Sequence, residues 1–255
     1  MKKTWIIAGR DLGSYFCSPM FYIITAVFLL IQSFMFFNIL QFFSLQSYQE
    51  AQIRQMGISL NINELVIEPS LLNMGVVLLL ISPLVTMRSF AEEKRLKTFP
   101  LLLSSPLRLW EIVAGKFLAC LTVLGVMVLL SAYTVGFVIW VGDPEIGPIV
   151  TGYGGLLLMT GCYVAAGLFA SSVTDNQIVA AVITFGFVFF MWIIGWAAQA
   201  VGAGASQVLE YLSLVNHLQN FTKGIVDTSD LMYYFSFIAF ALFLTHRALE
   251  SKRWS

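Results

Sequence analysis

Apolar residues in this chain fall into long unbroken blocks, and the polar residues collect in the gaps between them. Six blocks stand out, at about 20–43, 71–87, 113–141, 149–173, 178–200 and 231–248. A helix rises about 1.5 Å per residue, so about 20 apolar residues cross a hydrocarbon core of about 30 Å. Each block is long enough to span, with the second and last near the minimum, and Pro83 is expected to kink the second. Continuous blocks, in place of ten-residue alternation, exclude a closed β-barrel. Before the first block, Trp5, Ala8, Leu12 and Phe16 recur at helical spacing with Lys2, Lys3, Arg10 and Asp11 on the polar side. That pattern predicts a short amphipathic helix over 2–16 lying in the membrane interface. Before the last block, Val208, Leu209, Leu212, Val215, Leu218 and Phe221 keep helical spacing and predict one or two short helices dipping into the outer leaflet. The fold class expected is an all-α polytopic membrane protein with six transmembrane helices. No cleavable leader is expected, because the first apolar run is too long for a signal-peptide core and no small-residue cleavage site follows it.

Charge orients the bundle. Segment 87–116 is the most charge-dense interruption, holding Arg88, Glu92, Glu93, Lys94, Arg95, Lys97, Arg108, Glu111 and Lys116. An even number of spans puts both termini on one side. With the N-terminus inside, twelve of the fourteen Lys and Arg face the cytoplasm, and only Arg54 and Lys223 fall outside. Such a bias predicts both termini and the 87–116 loop to be cytoplasmic.

Composition agrees: 58% of the 255 residues are hydrophobic and 11% charged, against about 25% charged in ordinary soluble domains. A net charge of zero argues against nucleic-acid binding. Cys17, Cys120 and Cys162 have no close spacing and read as small apolar residues. His217 and His246 lack a second ligand at metal spacing, so no metal is expected, and a lone His reads by default as a surface or interface residue. The apolar blocks carry almost no ionisable residues, which argues against ion-coupled transport, and no matching halves suggest an inverted repeat. There is no phosphate-binding loop: Trp110 stands where its first Gly belongs, and Phe117 follows Gly115 and Lys116 in place of Ser or Thr. Glu92 and Glu93 are adjacent, diverge by about 100° on a helix and form no catalytic pair. No catalytic residues and no bound cofactor are expected. Small residues crowd the fourth block, with Gly152, Gly154, Gly155, Gly161, Ala165, Ala166 and Gly167; close helix packing is the default reading, and a conduit lining the sharper one.

The order Glu92, Glu93, Lys94, Arg95, then Leu101, Leu102, Leu103 and Pro106, then Ile112, Val113, Gly115 and Lys116 resembles the cytoplasmic loop of ABC transporter type-2 permeases. Gly142-Asp143-Pro144, the run Gly167 to Ser172 with Asn176 and Gln177, and the tail Leu249 to Trp254 are similar to the gliding-motility-type branch of that family. The resemblance implies a single permease domain over 1–255 and a cytoplasmic coupling helix between spans two and three. It implies a core of two permease chains, identical or related, on two ABC ATPase subunits that carry the ATP and Mg. Coupling would fall on about 92–105, with Glu92, Glu93, Lys94, Arg95, Pro100, Leu101, Leu102 and Leu103 as candidate residues. Lys97 and Pro100 depart from the pattern, standing where relatives often have Gly and an acidic residue. Proline disfavours helix at Phe99, which allows the coupling helix to start at Pro100 with the three leucines as its contact face.

The function expected is the transmembrane subunit of an ATP-driven exporter in a bacterial inner membrane. Two alternatives stay open: a mechanotransmission permease that drives a periplasmic partner or gliding machinery without moving a solute, and a membrane scaffold with no energy coupling.

Overall fold

The computed structural model describes residues 2–53, 61–98, 107–200 and 203–251. Helices α1 (Lys2–Cys17) and α2 (Pro19–Ile53) come first. A π-helical turn, Asn63–Ile67, leads without a break into α3 (Glu68–Thr86). The rest are α4 (Arg88–Arg95), α5 (Leu109–Leu130), α6 (Ala132–Val141), α7 (Ile146–Val173), α8 (Gln177–Ala200), α9 (Ala203–Leu212), α10 (Leu214–Thr222) and α11 (Thr228–Ser251). Among the described residues there is no strand.

Among the described residues, six helical stretches are long and apolar enough to cross a membrane: Pro19–Ser47, Asn63–Arg95, Leu109–Val141, Ile146–Val173, Gln177–Ala197 and Thr228–Ser251. They coincide in order with the six apolar blocks, and α9 and α10 fill the segment where one or two short helices were expected. The second stretch is far longer than its apolar block because helix continues at both ends through polar residues. Pro83 lies inside α3, yet the helix runs on to Thr86, and the break falls at Met87, whose N–H donates to the Pro83 carbonyl (2.9 Å).

The six spans divide into two groups. In the second, third and fourth, 67%, 61% and 78% of the most apolar window is buried, against 22%, 28% and 28% in the first, fifth and sixth. So α3, α5 and α7 form the centre, and α7 touches α3, α4, α5, α8, α10 and α11. The outer spans leave Phe34, Phe37, Val182, Phe190, Phe235 and Phe240 exposed, surfaces that only lipid or another apolar chain can cover.

Small residues let the inner helices close. A Cβ on Gly167 would collide with the Thr86 side chain, so α3 and α7 pack closely there. Gly152, Gly155 and Gly161 face Leu71, Phe221 and Ile238 just as tightly, whereas Gly154 has nothing within 4 Å. For those four glycines the packing reading holds, and no conduit runs along them.

α1 forms where the amphipathic helix was expected, and Ala8, Leu12 and Phe16 of its apolar stripe lie against the bundle. Its packed face carries Ile7, Ala8, Asp11 and Tyr15, set against α5 at Gly115, where an added Cβ would lie 2.9 Å from Ile7. Trp5, placed on the apolar stripe with Ala8, Leu12 and Phe16, is 66% exposed.

Candidate functional site: a charged junction around α4

α4 forms where the chain leaves the second span, and its sequence, RSFAEEKR, gives it two unlike faces. Phe90 and Ala91 are fully buried against the bundle. The first four N–H groups of any helix lack partners within it, and a neighbour supplies two of them here. Ser171, at the end of α7, accepts from Phe90 N and Ala91 N (3.0 Å each) and donates to the Met87 carbonyl (3.2 Å). One hydroxyl offers one donor and two acceptor positions, and all three are used. A buried serine from another helix thus caps α4.

Lys116, the residue after Gly115 at the tight contact between α1 and α5, is 2% exposed. A buried ammonium demands partners, and its three protons find Ser89 O at 2.7 Å, Glu93 Oε1 at 2.8 Å and Asp11 Oδ2 at 3.2 Å. The Phe90 ring lies 5.2 Å away. Arg10 closes the cluster, donating to Asp11 at 2.8 Å and to Glu93 at 3.1 Å. Partial burial acts to lower the Arg10 pKa, but Asp11 and Glu93 outweigh it, and the net shift is upward. Two cations face two carboxylates, and α1, α4 and α5 meet in one neutral quartet. Nearby, the Tyr15 hydroxyl donates to the Val85 carbonyl at 2.9 Å. Burial, more than any neighbour, raises the phenol well above its ordinary pKa.

Lys94 reaches the other way. Its ammonium donates to the Ser172 carbonyl and lies 3.7 Å from Asp175, in the connection between α7 and α8. Among the candidate coupling residues, then, Glu93 and Lys94 point inward and bind α4 to its neighbours. Glu92 lines an open cavity of about 570 Å³, and Arg95 is exposed. Pro100, Leu101, Leu102 and Leu103 lie outside the described residues. α4 ends before them: the Lys97 N–H donates to Lys94 O (3.0 Å) and the Thr98 N–H to Glu93 O (2.9 Å), with Lys97 at φ 56°. That is the left-handed helix stop usually built on Gly, here taken by Lys97.

A second polar cluster sits at the other end of the bundle. His217 Nδ1 lies 2.5 Å from Asp230 Oδ1, and its Nε2 donates to the Tyr211 carbonyl at 2.8 Å. Asn220 donates to the other Asp230 oxygen at 2.9 Å, and the Tyr233 ring stacks on the imidazole with centroids 4.1 Å apart. Both His217 and Asp230 are buried, which corrects the default reading of His217 as a surface or interface residue. Among the described residues no group of three His, Cys, Asp or Glu side chains could hold a metal ion.

A bundle of six apolar spans whose densest charge cluster fastens a short helix at one end defines the chain as a polytopic membrane protein. Its sequence matches the family described as ABC-2 family transporter protein over residues 5–249, and the chain belongs to that family. It is therefore a permease subunit of an ABC transporter, and membership implies an ABC ATPase partner. Comparison with curated proteins gave no match.

Proposed function

We propose that this chain is the membrane subunit of an ATP-driven exporter in a bacterial inner membrane. In this reading both termini and α4 face the cytoplasm, and α4 with the segment after it receives the motion of a partner ATPase. The observation that carries it is the fastening of α4 to three elements: to α1 and α5 through Lys116 and Glu93, and to α7 through Ser171 and Lys94. A helix anchored this way moves its neighbours when pushed, whereas a solvated loop absorbs the push. Two ATPases would carry the ATP and Mg, and a second permease chain would complete the path. ATP biases the spans only through contacts that differ between two states, and in this reading Glu92 and Arg95 make them.

The mechanotransmission reading uses the same junction. The filled glycine face of α7 favours it, since that face leaves no solute path along the most buried span.

Two variants separate contact from transmission. Reversing the outward charges (Glu92→Lys with Arg95→Glu) is expected to abolish co-purification with a co-expressed ATPase. Lys116→Met is expected to keep co-purification but lose substrate-stimulated ATP hydrolysis. Unchanged association in the first variant would sink the assignment of α4 as the contact helix.

A further inference from the structure

The buried histidine at the end opposite α4 faces more acceptors than a neutral ring can serve. His217 Nε2 meets the Tyr211 carbonyl at 2.8 Å, and Nδ1 meets the Asp230 carboxylate at 2.5 Å. A carbonyl oxygen only accepts, and so does an ionised carboxylate. A neutral imidazole carries one N–H, so it satisfies one of these neighbours and turns a lone pair on the other. With Asp230 ionised, the ring fits its surroundings only with hydrogen on both nitrogens. The count is the same with the proton placed on Nδ1 or on Oδ1: the pair holds one proton more than a neutral imidazole beside a carboxylate. Asn220 donates to the second Asp230 oxygen at 2.9 Å, and Tyr233 stacks on the ring with centroids 4.1 Å apart, so the two groups are held face to face.

Few other ionisable groups surround the pair. α9 brings the exposed Glu210, which lines a cavity of about 520 Å³ together with Tyr211, His217 and Asp230. α11 adds Tyr233 and Tyr234 beside the ring. α7 places Cys162 and Tyr163 near Tyr234, and Tyr153 near Ser131 and Thr134. α8 has no ionisable side chain, and Glu68, alone of its kind on α3, faces Lys223 and Glu64. The pair is buried but not sealed: His217 is 6% and Asp230 4% exposed, and both line the cavity, so a proton can pass between them and water.

We propose that His217 and Asp230 form a proton-operated latch on the short helices between the fifth and sixth spans. With the extra proton bound, the imidazole ties α10 to α11 through Asp230 and to the end of α9 through the Tyr211 carbonyl. When that proton leaves, the ring keeps its remaining hydrogen on Nδ1, because a bare nitrogen facing a carboxylate costs more than one facing a neutral carbonyl. Nε2 then turns a lone pair on the Tyr211 carbonyl, and the end of α9 is released. The contact is therefore present at low pH and lost as pH rises. The Tyr233 hydroxyl donates to the Leu212 carbonyl at 2.7 Å in either state, so α9 loosens without detaching. The packing of this end of the bundle thus follows the pH of the water that it meets. The latch needs no ATPase, so it can fail while the coupling assignment stands.

The test is nitrogen NMR of the full chain in detergent, isotope-labelled at histidine and carrying His246→Asn so that only His217 is observed. Nε2 is expected to hold hydrogen at about pH 6 and to lose it by about pH 9. Hydrogen exchange of residues 209–214, corrected for the pH dependence of the chemical rate, should be about tenfold faster at the higher pH, as loss of one hydrogen bond predicts. Asp230→Asn lets a neutral ring donate from Nε2 and accept at Nδ1, so Nε2 should keep its hydrogen and the exchange step should vanish. Tyr233→Phe removes a structural contact only, so exchange should rise at both pH values while the change at Nε2 remains. The latch is overturned by an Nε2 that keeps its hydrogen throughout in His246→Asn, by equal exchange at the two pH values, or by an exchange step that persists in Asp230→Asn. The first two readings need neither the Asp230 nor the Tyr233 variant to fold.

Discussion

At the α4 end, Arg10, Asp11, Glu93 and Lys116 join three helices through formal charges held 2.8 to 3.2 Å apart. At the far end, Tyr211, His217, Asn220, Asp230 and Tyr233 join α9, α10 and α11 through hydrogen bonds and stacked rings. Both clusters are partly shielded from water, but they should fail differently. Removing one member of a buried ion network strands its partners as uncompensated charge. A hydrogen-bonded cluster can often rotate an amide or move a proton and stay satisfied. The ionic end is stiff against the loss of a charge until it breaks, whereas the aromatic end can adjust.

The sharpest break is Lys116→Met. It leaves Asp11 and Glu93 sharing Arg10 alone and is expected to cost about 3–5 kcal/mol, read as a lowered unfolding midpoint in detergent. Adding Asp11→Asn and Glu93→Gln to that variant should restore much of the loss. Next comes Ser171→Ala, which uncaps α4. With two buried N–H groups orphaned, about 2 kcal/mol should be lost, and hydrogen exchange at Phe90 and Ala91 should accelerate. Lys97→Gly runs the other way. Glycine takes φ 56° without the side-chain penalty, so the helix stop should gain about 1 kcal/mol. Smallest is Asp230→Asn, expected to cost under about 1 kcal/mol. Its amide can donate to a neutral His217 Nδ1 while its oxygen still accepts from Asn220. A loss as large as that of Lys116→Met would erase the contrast between the two ends.

The spans were readable because a lipid environment forbids charge over about 20 residues, and that signal survives in any single sequence. The two faces of α1 were not. Against a membrane, the side that meets lipid and the side that meets protein are both apolar, so Trp5 and Ile7 look alike on paper, yet only Ile7 is packed. Lys116 was visible as part of the charged loop, but its partner Asp11 lies 105 positions away, and no local period links them. Ser171 stood at the start of a short, nearly uncharged connection with nothing to mark it as the cap of a helix 80 residues earlier. His217 looked solitary because Asp230 sits on the next helix, at a spacing no helical rule favours. The coupling assignment to Glu92, Glu93, Lys94 and Arg95 came from family likeness. What the sequence hid was their division into inward struts, Glu93 and Lys94, and the outward Glu92 and Arg95.

The central claim is that α4 and the end of α7 move as one body when an ATPase acts. It can be measured by pulsed electron–electron distance spectroscopy between spin labels at Arg95→Cys and Val173→Cys, with the exposed Cys17 replaced by Ser and the buried Cys120 and Cys162 left in place. In the complex with its ATPase, a single narrow distance is expected, identical without nucleotide, with ATP and in the trapped hydrolysis state, and broadened by Ser171→Ala. A distance that shifts with nucleotide would mean that α4 slides on α7, and the junction would not transmit the stroke.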